Sequence, residues 1–217
     1  MHFAPAGLRH ALARRNDDDR ISYLALRKAI GIIGLALPFA LVLGKLLVDG
    51  PGLESSMSAY YYTEMRDVFV GSMCAIGIFL LSYRGPERAD DLAGDLACVC
   101  AVGLALFPTS PEDKAETWVN ALHFVFAATL FATFAFFSIV LFRKTKPGVP
   151  LTPTKQRRRV IYAVCGWTIV GCIAAIVLVK LMPESSPIHR LDPVLWLEAL
   201  AVLAFGSSWL TKGLKDA

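Results

Sequence analysis

Three ionisable side chains stand in or beside apolar runs, and any chemistry would start from them. Asp67 closes the polar stretch ESSMSAYYYTEMRD, His123 lies in NALHFVFAATLF, and Glu198 lies in LWLEALAVLAFG. A carboxylate and an imidazole sharing a water-poor site can move protons as acid and base, so Asp67 and His123 are the catalytic candidates. Asp67, Gly71 and Cys74 share one helical face, and Gly71 leaves room for a neighbouring helix or a ligand. Asn120 and Glu116 share the face of His123, with Ala127 one turn further on. A lone Glu in a run such as that of Glu198 is costly without a partner, and Arg66 and Arg190 are the candidates. With His189 these residues form the expected ligand-binding set: Arg66, Asp67, Asn120, His123, His189, Arg190 and Glu198.

Each also has a purely structural reading. Thr63 can cap the helix that Asp67 enters, with Glu64 and Asp67 favouring its dipole. His123 can donate one interhelical hydrogen bond, and Glu198 can belong to an ion pair. A metal is not expected: only His123 and His189 are placed to bind one, no His-x-x-x-His pair occurs, and the five Cys lack metal-type spacing. No cofactor is expected either, since no P-loop, dinucleotide fingerprint, G-x-S-x-G or H-E-x-x-H element is present.

The elements that must position these residues are long apolar runs. Of 217 residues, 55% are hydrophobic, against roughly 45–50% in ordinary soluble domains. The excess falls in blocks, which signals membrane spans rather than a larger core. Six spans are expected, at about 29–48, 68–83, 92–107, 118–142, 160–182 and 194–210. Pro38 should kink the first, and Asp49-Gly50-Pro51-Gly52 ends it. Asp91 and Asp95 suit the start of the third. Ser110-Pro111-Glu112-Asp113 reads as the cap and first turn of the fourth helix, and Asp192-Pro193 as those of the sixth. Gly31, Gly34, Gly166 and Gly171 permit close helix packing. The Tyr60–Tyr62 run reads as an interfacial anchor. Ser207 and Ser208 read as bonded to backbone carbonyls.

Loop charge sets the orientation. Lys and Arg gather in the N-terminal segment, at 84–88, at 143–159, where Pro147, Pro150 and Pro153 should keep the chain extended, and at the C-terminus. The loops at 49–66, 109–117 and 183–193 hold few. The positive-inside rule then puts both termini in the cytoplasm. The expected fold is all-α: a polytopic membrane protein of the plasma (inner) membrane with one bundle of six transmembrane helices. Residues 1–28 form a cytoplasmic segment, 29–211 the bundle and 212–217 a tail. The first segment, with acidic Asp17, Asp18 and Asp19 and no cleavage site, does not read as a signal peptide. It is either a short interfacial helix, using Leu8, Leu12, Ile21 and Leu24, or an unstructured tail. The expected partners are membrane lipids, not nucleic acid. A second copy of the chain is a further option, given the small residues on the helices.

The stretch ESSMSAYYYTEMRDVFVG, the LFPTSP segment, HFVFAATLF and the final PVLWLEALAVLAFGSSWLTKG together resemble a group of uncharacterised bacterial six-helix membrane proteins, over most of the chain after residue 28. More remotely, a Ser-rich outer loop with an Arg at the head of the second helix is similar to the FRAG/DRAM/SFK class, which implies a lipid-related role. Membrane hydrolases of the alkaline-ceramidase type need more His than this chain has. The function expected from all this is binding of a lipid or small amphiphile in an outer-face pocket between the second, fourth and sixth helices. The alternative is a membrane-embedded lipid hydrolase using Asp67 and His123, with or without metal. A small transporter is the second alternative.

Overall fold

A computed structural model describes residues 6–111, 117–145, 148, 150–183 and 185–214, with side chains from Tyr23 onward. Among these residues there are six α-helices and no strand: α1 Ala6–Val48, α2 Arg66–Ser82, α3 Arg88–Leu106, α4 Trp118–Phe136, α5 Pro153–Lys180 and α6 Pro193–Lys212. A π-helical turn, Phe137–Leu141, prolongs α4, and short 3-10 turns occupy Ser58–Tyr62 and Pro187–Leu191. Four stretches are long and apolar enough to cross a membrane: Tyr23–Val48, Trp118–Leu141, Pro153–Lys180 and Pro193–Lys212. The other two helices fall short of that measure. α2 has 17 residues, and α3 carries Asp90, Asp91 and Asp95 in its first half.

Several boundaries differ from the sequence reading, each for a local reason. α1 has no break between an N-terminal segment and a span, and it continues through Pro38. α4 does not begin at Ser110-Pro111. Thr117 is extended and caps it, accepting the N–H of Asn120, while Glu112, Asp113 and Glu116 lie outside the described residues. Pro153 does not hold a loop extended: Thr152 caps α5 and Pro153 is its first residue, the position where a missing N–H costs nothing. Asp192 precedes Pro193 of α6 as expected, but it is left-handed (φ 46°) and its side chain makes no capping bond.

Each helix packs on the next in chain order, and α6 closes back onto α1, so the six form a ring. Directions alternate around it. At one end, Tyr23 in the first half of α1 stacks on Tyr83 after α2, and Tyr83 meets Phe137 after α4 and Trp209 near the end of α6. Phe142 joins them, with Trp209 at 5.0 Å and Tyr162 of α5 at 5.4 Å. Arg27 lies over the Tyr23 ring at 4.2 Å, and Arg84, Arg88, Lys144, Lys155 and Arg157–Arg159 are on the loops and helix starts of this end. We call it the basic end. The opposite end carries the Ser58–Tyr62 turn.

The α1–α6 contact is backbone on backbone. A methyl at Gly206 would come to 2.7 Å from the Leu35 nitrogen and 2.9 Å from the Gly31 oxygen, and one at Gly31 to 2.5 Å from the Leu210 nitrogen. Lipid is as apolar as a leucine side chain, so such contact, rather than expulsion of water, must hold helices together in a bilayer. Gly34 joins this seam, whereas Gly171 faces open space. Ser208 does not bond a backbone carbonyl: its hydroxyl pairs with that of Ser138 at 2.8 Å, joining α6 to the π-helical turn.

Candidate functional site

The polar stretch folds over one end of the ring, and hydrogen bonds pin it there. The Met57 N–H donates to Oε2 of Glu198 on α6 at 2.7 Å, with the Ser58 N–H beside the same carboxylate. Two N–H groups at the start of a 3-10 turn have no partner within the turn and need an acceptor. The Leu195 N–H of α6 in return donates to the Ser55 carbonyl at 3.1 Å. Thr63 closes the turn by donating to the Tyr60 carbonyl at 2.9 Å.

Ser58 is buried, and its Oγ lies 2.9 Å from Nε2 of His123 on α4. Nδ1 of the same ring is 2.7 Å from the Phe107 carbonyl, which follows α3. A carbonyl can only accept, so Nδ1 carries the proton, and Nε2 of the neutral ring accepts the Ser58 O–H. One imidazole thus links the turn, α4 and the end of α3. Asn120, one turn away, accepts the Ser110 N–H at 3.1 Å and fixes the segment between α3 and α4.

Below the turn, inside the ring, lies a narrow slot. Its cavity volume is about 30 Å³. Phe69, Met73 and Ile76 of α2, Leu130 and Phe134 of α4 and Phe205 of α6 form its apolar wall, along with residues of α1 and α3. Ser58 and Glu198 are the polar residues in its lining. The slot is therefore one-sided in chemistry: hydrocarbon along its length, with a hydroxyl and a carboxyl where the turn closes it.

The expected site residues divide into two groups. Glu198 lines the slot, while His123 and Asn120 are buried around its lid. Asp67 does not join them. It shares a face with Gly71 as read, but that face looks outward: Asp67 is exposed, and nothing lies within 4 Å of a methyl placed on Gly71. At 100° per residue, Phe69, Met73 and Ile76 fall on the opposite side of α2 and take the slot. Arg66 is also exposed. It does not pair with Glu198 but donates to the Tyr61 hydroxyl at 2.7 Å and stacks on that ring at 4.4 Å. Arg190 is exposed, and His189 is half-buried, its Nε2 without a hydrogen-bond partner among the described residues. Among the described residues no three His, Cys, Asp or Glu gather to hold a metal. Glu116 lies outside the described residues.

The three tyrosines take three different roles. Tyr60 is fully buried, its hydroxyl near the Glu54 backbone without a well-formed hydrogen bond, and burial holds its phenol above the ordinary range. Tyr61 carries Arg66. Tyr62 is exposed and donates to the Thr109 carbonyl.

No protein family, curated protein or solved structure matches this chain.

Ser58 is the residue the sequence did not single out. Three serines stand at 55, 56 and 58, and nothing in their spacing separates them. The available signal was indirect. A buried His123 needs a short polar partner for its second nitrogen, and the Ser-rich stretch is on the same side of the chain's topology.

Proposed function

We propose that this chain is an integral protein of the plasma (inner) membrane that binds a lipid or small amphiphile, its chain in the slot and its polar end beneath the Ser58–Tyr62 turn. One observation carries the reading: an apolar slot inside a helical ring, with Ser58 and Glu198 at its turn-covered end. A chain-bearing amphiphile has that same division. In this reading all six helices cross the bilayer. α2 and α3 do so inside the ring, where protein and not lipid meets part of their surface. Lys and Arg crowd the basic end, which supports a cytoplasmic location for it and for both termini. The slot would then open toward the outer leaflet.

The test is capture of a diazirine-bearing fatty acid or phospholipid by the protein in nanodiscs. Ala127 lines the slot, and Ala127→Trp should fill it and cut capture at least about tenfold. Val125 on the same helix is exposed, so Val125→Trp should leave capture unchanged. Equal capture by both variants would refute binding in the slot.

A further inference from the structure

We infer that Ser58 and His123 form a nucleophile–base pair for acyl transfer, with a carboxylic ester of a chain-bearing amphiphile as substrate. The inference rests on the slot reading above for delivery of that ester. The parts of an activated serine are in place. The hydroxyl lies 2.9 Å from Nε2, within the span for proton transfer to a base. The base is oriented by a third group, the Phe107 carbonyl 2.7 Å from Nδ1. That is the arrangement an activated serine requires, with a carbonyl where many such sites use a carboxylate. Both residues are buried, so bulk water does not compete for the hydroxyl. Ser58 lines the slot, so an ester held there meets it from the side opposite to the aqueous loops.

The step balances as follows. Oγ of Ser58 bonds to the ester carbonyl carbon while its proton passes to Nε2. The carbon–oxygen bond to the alcohol then breaks, and the alcohol leaves with that proton. Water attacks the acyl-Ser58, again giving a proton to Nε2, and releases the acid as Ser58 takes the proton back. The N–H groups of Met57 and Ser58 are the donors the turn offers to an oxyanion. In the free protein the Met57 N–H is bonded to the Glu198 carboxylate and the Ser58 N–H lies beside it, so the substrate must displace Glu198.

The test uses the full chain in nanodiscs with a long-chain alkyl fluorophosphonate, which would transfer its phosphonyl group to Oγ and release fluoride. Intact-mass and peptide mass spectrometry should find one adduct per chain, on Ser58. Ser58→Ala should abolish it, and His123→Gln should slow it at least about a hundredfold, the range a lost general base produces. Absence of any adduct on wild-type Ser58 after prolonged excess reagent would overturn the pair, whatever the variants do. So would His123→Gln reacting at the wild-type rate. Failure of the slot reading looks different: lipid capture by the wild-type protein is lost, and short- and long-chain phosphonates label Ser58 equally.

Discussion

The Glu198 carboxylate and the Met57 N–H meet at 2.7 Å across 141 residues of sequence. This bond makes the end of the ring a lid. The polar stretch could otherwise lie elsewhere over that end, but the Met57 N–H and the lone carboxylate in the apolar run of α6 each need a partner. Satisfying both at once fixes the turn over the slot.

Replacing Glu198 should therefore damage folding through the turn as well as through α6. Glu198→Leu leaves the Met57 N–H buried without its acceptor, at a cost of roughly 1–3 kcal/mol. Glu198→Gln keeps an acceptor oxygen and should cost about 1 kcal/mol. Thermal unfolding in detergent would check the order. Equal stability of wild type and Glu198→Leu would show that the bond does not hold the lid.

Tyr60 gives a prediction of the opposite sign. Its ring is fully buried, and its hydroxyl has no partner among the described residues. Tyr60→Phe should leave stability within about 0.5 kcal/mol of wild type or raise it, because an unpaired buried hydroxyl contributes only its desolvation cost. A loss above that in the same unfolding assay would mean that the phenol is bonded.

The α1–α6 seam should be intolerant of side chains. Gly206→Leu puts a side chain where a methyl already comes to 2.7 Å from a backbone nitrogen. It should cost at least about 1–3 kcal/mol, as overpacking does. Gly171→Leu, facing open space, is the matched control and should cost little. A comparable loss from both would remove the seam from the account.

The proposed orientation predicts opposite labelling at the two ends. Single cysteines placed at Glu54 and at Arg84, in a background lacking the native ones, should react differently with an impermeant maleimide in intact cells. The first should be labelled and the second protected until the membrane is opened. Labelling of the second alone would invert the protein.

Much of the helical frame was legible because it rests on local signals. Blocks of apolar residues found the helices, and Asp192-Pro193 found the start of α6. Thr152-Pro153 carries the same signal for α5, but the prolines around it made the segment look like a loop. The site was legible in part. Length, polarity and burial cost pointed to His123 and Glu198, and those residues are at the slot and its lid. The spacing of Asp67, Gly71 and Cys74 gave a helical face but not its direction. Phe69, Met73 and Ile76 decided that, because packing inside the ring outweighs one carboxylate able to stay at the water boundary. The pairing of Ser58 with His123 spans 65 positions and depends on how the turn folds back, which no local pattern records.

The most direct measurement is an experimental density map of the protein in lipid nanodiscs, at a resolution that separates side chains. Elongated density is expected in the slot, beside Phe69, Met73 and Phe134, ending under Ser58 and Glu198. Side chains collapsed into that space, with ordered lipid only on the outer surface of the ring, would contradict it.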